Sequence, residues 1–256
     1  MTAVAAEATL IRRCLHLQQR GATAVGQLWQ GNLYGQEVVL LRGGMGPERA
    51  TQAATWLVQH HALHGMLSVG FAGGLQASLA PGDAVLPRRI LTTWAESVSP
   101  GAQAGIIPDA GLAHQAVMAA TQAGLTLHQG TLLSVSEMVA HAVAKQRLGK
   151  RFGAVAVDME SYSIGRVATA HHLPFMVLRT IFDTQTDEIP FQASQFTAAD
   201  GALQPLRVLA YLARHPRELA QVPLAWHKVR TAGRGLESWV GHFLRRLHQT
   251  GAAHGS

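Results

Sequence analysis

The stretch VAVDMESYSIGRVA, residues 155–168, leads small and branched apolar residues into two carboxylates, Asp158 and Glu160, with Met159 between them. Ile164 and Val167 then fall on one side of a helical pattern. Acids placed where a strand ends cost stability if they are buried. They read either as a solvated helix start, where negative charge meets the positive end of the dipole, or as a holder of a polar substrate. Another acid, Asp183, follows the apolar run of LPFMVLRTIFD, and Arg179 sits inside that run. A charge within a buried strand needs a partner, and Glu7 or Glu160 are the candidates. Beyond pairing, an arginine so placed positions a catalytic carboxylate or a water.

Two glycine-rich turns accompany these groups. GGMG, residues 43–46, precedes a helical segment and offers backbone N–H groups to an anion. It is no P-loop, since no Gly-Lys-Ser/Thr follows, and a tight turn explains it equally well. GFAGG, residues 70–74, brings Phe71, Ala72 and Gly73 to a place where backbone can approach a ligand, or where helix and strand pack closely. The 14 histidines include an HHxxH spacing at 60–64. It lacks the glutamate of a zinc helix and has no cysteine cluster beside it, so neither metal nor cofactor is expected. A serine hydrolase has no support, because there is no G-x-S-x-G elbow. Cys14, the single cysteine, excludes an internal disulfide, fits a reducing compartment and reads as a packing residue.

The elements that must position these groups alternate along the first two hundred residues. Strands are predicted at TAVAA, QEVVLLRGG, GMLSVGFAGGL, GDAVLPRRILT, LHQGTLLSVSE, GAVAVD and LPFMVLRTIFD. Helices are predicted at EATLIRRCLHLQQRG, PERATQAATWLVQHH, AGLAHQAVMAATQAG and after MES. Such alternation implies an α/β fold with a mostly parallel or mixed sheet between helical layers. In such sheets ligands bind beyond the carboxyl ends of strands. Glu7, Gly73, Gly74, Ser136, Glu160 and Asp183 all fall just after predicted strands.

Apolar residues make up 48% and charged residues 14% of the 256, which argues for an ordered core. No apolar run of about 18 residues is present, so no membrane span is expected. Residues 205–256 hold eight of the 21 Lys and Arg and two of the 15 Asp and Glu, so the net charge of +6 sits there. That distribution suggests a neutral α/β body, residues 1–204, with a basic helical extension, 205–256, broken at Pro216 and Pro223. The extension interleaves basic residues with Trp226 and Trp239. It reads as a packing helix pair with a solvated basic face, or as a surface for lipid headgroups. A nucleic-acid partner is not expected, for no recognition motif accompanies the charge.

In order, GGMGPERATQAA, SVGFAGGL, PGDAVLP, VAVDMESYSIGRVA and LPFMVLRTIFD resemble the purine nucleoside phosphorylase and nucleosidase superfamily over residues 2–190. The resemblance implies a three-layer αβα sandwich with a central mixed sheet, and cleavage of a nucleoside N-glycosidic bond through an oxocarbenium-like transition state. By the same resemblance Glu160 binds the ribose hydroxyls and Met159 packs on the ribose. Asp183 protonates or hydrogen-bonds purine N7, Glu7 activates water, and Arg179 lies near the nucleophile. Met138 and Val139 face the base. Asp158 is left as a solvent-facing or loop-bonding residue. Many phosphorylases carry Arg and Ser where this chain has Ser68 and Phe71, which favours water over phosphate as nucleophile. Phe182 stands where Ser is common. The first strand is short beside the relatives', and a start upstream of Met1 is left open.

AAEATLIRR, GMGPERA and LARHPRELAQVPLAWHKV resemble, within the superfamily, the hopanoid-associated phosphorylases, which release adenine from adenosylhopane. That resemblance implies a nucleoside with a lipid 5′ group, met by a greasy entrance of Phe71, Phe182, Phe191, Phe196 and the extension. Methylthioadenosine, adenosylhomocysteine or futalosine hydrolysis, or purine nucleoside phosphorolysis, is the alternative. A cytoplasmic homo-oligomer is expected, with contact to the inner membrane surface through the extension.

Overall fold

The computed structural model describes residues 1–94, 105–189 and 222–253. Among them a central mixed sheet is built from β4 (Met66–Gly74), β5 (Ala84–Thr92), β6 (Leu127–Ser134), β7 (Ala154–Asp158) and β8 (Phe175–Asp183). Its spatial order is β4-β7-β6-β5-β8, and β8 returns to pair with β4, so the sheet curls closed and leaves no free edge. β4 and β8 run parallel from Met66↔Phe175 to Ala72↔Ile181. The register then shifts, setting Gly73 opposite Asp183 and leaving Phe182 as the extra residue. Bulges of this kind re-aim a side chain at the end of a strand.

The side chains of β8 show why the sheet lies between two helical layers. Phe175, Val177 and Ile181 enter one core cluster, with helices α2 (Pro47–His60) and α5 (Ser161–Ala170). Met176 and Leu178 point the other way, into a cluster with α1 (Ala5–Cys14), α3 (Ala110–Gln122) and α6 (Val222–Ala253). Period-2 alternation with both faces apolar is the signature of a strand buried on both sides. The expected αβα architecture with a central mixed sheet is therefore present. A helix α4 (Ala142–Phe152) completes the outer layer beside β7.

The N-terminal segment differs from expectation. TAVAA is no strand: Thr2 makes a single bridge to Arg42, and α1 already begins at Ala5. Nor does the first helix run to Gly21. It stops at Cys14, and β1 (Gln18–Thr23), β2 (Gly26–Leu33) and β3 (Gln36–Arg42) form an antiparallel meander. Only β3 reads as a buried strand in sequence. The polar QQRGAT of β1 is an exposed edge, held by cross-strand pairing that no local pattern announces.

The extension contributes α6. Pro223 lies in its first turn, where a missing N–H costs nothing, rather than at a break; Pro216 lies outside the described residues. Ala232, Leu236, Trp239, Val240 and Phe243 form one fully buried stripe. Trp239 Nε1 donates to Ala116 O at 2.9 Å, and Thr180 Oγ1 to Ala232 O at 3.0 Å. The apolar side of this helix is thus spent inside the fold, and Arg230, Arg234 and Arg245 occupy its exposed side. Cys14 faces the same helix, its Sγ 3.5 Å from Glu237 O, as a packing residue would.

Candidate active site

The site gathers at the carboxyl ends of β4, β7 and β8, in a cleft of ≈ 390 Å³. Ten of the eleven expected site residues line it: Glu7, Phe71, Ala72, Gly73, Met138, Val139, Met159, Glu160, Phe182 and Asp183. Arg179 alone is set back, 3% exposed, lining a cavity of ≈ 10 Å³ that also touches Glu7, Ser68 and Glu160. Phe191 and Phe196 lie outside the described residues.

Glu7 sits in the first turn of α1, not after a strand. Its Oε2 accepts from Ala3 N at 2.9 Å and Val4 N at 3.1 Å, as the reach-back half of a capping box does. Its Oε1 accepts from Phe71 N at 2.8 Å, which ties α1 to the end of β4. This close approach explains Gly70: a Cβ there would stand 2.5 Å from Glu7 Oε1. Burial pushes the Glu7 pKa up, against the pull of Arg179 and of those three N–H groups.

Glu160 ends the β7 turn at the start of α5. Gly46, with φ of 96°, holds a conformation that favours glycine and aims its N–H at Glu160 Oε1, 2.9 Å away. GGMG is therefore a carboxylate cradle in this chain. The Glu160 pKa is pushed up to about 8, chiefly by burial and then by the neighbouring Asp158, with the Gly46 N–H and Arg179 opposing.

Asp158 is not solvent-facing, and its bond to the N–H of Ser161 beyond the β7 turn is only part of its role. It is 6% exposed and binds Arg179, its Oδ2 lying 3.1 Å from Nε and 2.9 Å from Nη2. Ser134 Oγ donates to its Oδ1 at 2.6 Å, and the hydroxyl and N–H of Ser161 donate to its Oδ2. The expected partners of Arg179, Glu7 and Glu160, are thereby displaced to a supporting electrostatic role. Ser68 and Ser161 hydroxyls lie 2.7 and 2.9 Å from Arg179 Nη2 and complete the seat. A buried arginine tied this firmly keeps its charge at a fixed place. Serines in apolar strands are the trace of this network in sequence, and their partner is fixed by the fold.

Asp183 meets a residue that the sequence reading missed. Lys145 of α4 is fully buried and its Nζ donates to Asp183 Oδ2. The same Nζ donates to Thr184 O at 3.0 Å and Asp187 O at 2.8 Å. Burial raises the Asp183 pKa, while the Lys145 charge and hydrogen bond lower it. The available signal was the spacing Lys145, Leu148, Phe152, which puts the lysine on the apolar face of α4. The rings of Phe71 and Phe182 stand 6.1 Å apart, so two departures from the family pattern meet in one apolar wall. His60 and His61 pack on Trp56, away from this cleft.

The family profile described as "Phosphorylase superfamily" matches residues 1–214. A 5′-methylthioadenosine/S-adenosylhomocysteine nucleosidase of Shewanella pealeana is 28% identical over 192 residues, covering 71% of this chain and 84% of that protein. The Campylobacter jejuni 5′-methylthioadenosine/S-adenosyl homocysteine nucleosidase superposes with a TM-score of 0.74 at 18% identity, over 97% of this chain and 96% of that one. Futalosine hydrolase of Helicobacter pylori superposes with a TM-score of 0.70 at 19% identity, over 93% and 94%. At these identities the two structures carry the fold.

Proposed function

The chain belongs to the phosphorylase superfamily, and from that premise we propose that it hydrolyses the N-glycosidic bond of an adenosine-type nucleoside and releases adenine. One observation carries the reading: Glu7, Glu160 and Asp183 converge on a single cleft, with Arg179 fixed behind them. Departure of a purine from C1′ leaves positive charge on the ribose and negative charge on the base. Glu160 meets the first demand. A bound diol offers it two O–H donors, and charge developing at C1′ favours its ionised form, so its grip tightens as the bond breaks. Asp183 meets the second. It gives a proton to the departing base, a role that the upward push of burial on its pKa favours, and general-acid catalysis contributes about 10²–10⁴-fold. Glu7 takes the proton of the attacking nucleophile.

Water is the nucleophile in this reading. The cavity beside Glu7, Glu160 and Arg179, at ≈ 10 Å³, is at the lower bound for one water and too small for phosphate. Ser68 is bound to Arg179 and Phe71 is apolar, so neither supplies a phosphate clamp.

For the 5′ group we read a large apolar substituent, adenosylhopane. Met45, Phe71, Met138, Phe182, Ile189 and Val229 give the cleft its apolar lining, and Met138 is 37% exposed. For such a lipid, the exposed Arg230, Arg234 and Arg245 of α6 are the groups that would meet anionic headgroups. Methylthioadenosine, adenosylhomocysteine or futalosine fits the same carboxylates equally well, and the names of the relatives favour that second reading. Adenine release from adenosylhopane and from methylthioadenosine, each with and without phosphate, decides among them. Turnover of adenosylhopane alone, unchanged by phosphate, is the expected result. Turnover of methylthioadenosine alone would overturn the lipid assignment, and strict phosphate dependence would overturn hydrolysis.

A further inference from the structure

Among the described residues, Lys145 is the one buried cation in contact with a site carboxylate that the chemistry above does not use. Its side chain is fully buried, yet an aliphatic residue would fill an apolar helix face at lower cost, since a buried ion pair is often no more stable than a hydrophobic replacement. Its three donors are all engaged, by Asp183 Oδ2 and by the carbonyls of Thr184 and Asp187. Those carbonyls belong to the turn that follows β8. The turn is closed from within by Thr184 N, which donates to Asp187 Oδ2 at 2.7 Å. It is closed from outside by Lys228 of α6, 2.7 Å from the same carboxylate. Lys145 thus joins the catalytic strand end to its exit turn from beneath, and the C-terminal helix clamps that turn from above.

We propose that Lys145 is a positioning residue for Asp183: by occupying Oδ2 it leaves Oδ1 as the oxygen that holds the proton and delivers it to the leaving base. The inference rests on the hydrolase reading. In the step, the Asp183 O–H bond breaks, an N–H bond forms on the purine, and the C1′–N9 electron pair leaves with the base. Water adds to C1′ and its proton passes to Glu7. Lys145 transfers no proton in this step, and its hydrogen bond to Oδ2 stabilises the carboxylate left on Asp183. A lysine beside a general acid is a compromise. It lowers the acid's pKa and so opposes protonation, while burial raises it and favours protonation. The other charged groups nearby are Asp187 and Lys228, with Glu188 and its partner His141 at the mouth.

Lys145→Met tests the role. The expected kcat for adenine release falls about a hundredfold or more, with KM moved less than about threefold, because orientation in the transition state is lost and ground-state binding is not. The high-pH limb of kcat/KM, where Asp183 loses its proton, moves to higher pH because a neighbouring cation is gone. A melting temperature that falls while kcat and the pH limb stay put would overturn the proposal and leave Lys145 a packing residue. A second measurement needs neither turnover nor a folded lysine variant. In wild type the ¹⁵N shift of Lys145 Nζ is expected to step at the pH where Asp183 titrates, and Asp183→Asn should abolish that step. No step in wild type, or a step that survives in Asp183→Asn, overturns the proposal. If the wild type releases no adenine from any nucleoside, the hydrolase reading fails, and this titration still decides whether Lys145 governs Asp183.

Discussion

Removing the buried Glu160 carboxylate should make this protein more stable. The Glu160 pKa lies at about 8 in the folded chain against an ordinary value of 4.5, mainly because the group is buried. Below pH 4.5 the folded and unfolded chains both hold the proton and stability gains nothing from it. Between 4.5 and about 8 the folded chain alone holds it, so unfolding releases a proton and stability falls as pH rises. Above about 8 both are ionised and the loss is complete. At ~1.4 kcal/mol per pH unit, the cost is about 3 kcal/mol at pH 7. Glu160→Gln keeps the shape of the protonated acid and cannot ionise. It should match wild type near pH 4.5 and exceed it by about 3 kcal/mol at pH 7, which is roughly 6–12 °C in Tm for a chain of this size. Thermal denaturation of both proteins from pH 4.5 to 8.5 measures the difference directly. Adenine release by the variant should fall by about a hundredfold or more in the same preparations. Stability curves that run parallel over the whole range would refute the reasoning, for Glu160 would then be ionised in the folded protein and its burial offset by its partners.

Gly70→Ala places a Cβ 2.5 Å from Glu7 Oε1. Because the obstructing atom ends a flexible side chain, the carboxylate should swing off Phe71 N while the fold survives. Adenine release is expected to drop about a hundredfold with Tm changed by only a few degrees; full activity would mean that Glu7 does not act from its observed place. Asp158→Asn strips the buried Arg179 of its counter-charge and is expected to cost about 3–5 kcal/mol, read as a lower urea midpoint at unchanged m-value. A loss below about 1 kcal/mol would show that Ser68 and Ser161 alone suffice for the arginine.

The layered fold was legible because its cause is local. FMVLRTIFD alternates between two apolar faces, and PERATQAATWLVQHH carries an apolar helical stripe behind a first-turn proline. Asp158, Glu160 and Asp183 could be placed at strand ends for the same reason, whereas Glu7, expected after a strand, stands in the first turn of α1. Pairing was not legible. Asp158 and Arg179 are 21 residues apart, Lys145 and Asp183 are 38 apart, and Gly46 and Glu160 are 114 apart. Asp158 and Arg179 meet across two strands of the closed sheet, whereas Lys145 comes in from α4 and Gly46 from the turn between β3 and α2. The polar β1 is a strand because β2 supplies its hydrogen bonds, and the stripe of α6 is a core because α3 and β8 wait to cover it. Residue type and period determined which segments had to be buried and which groups could do chemistry. Which carboxylate received an arginine, which a lysine and which only a backbone N–H was decided by contacts between residues far apart in sequence, and burial among those contacts raises the pKa of Glu7, Glu160 and Asp183.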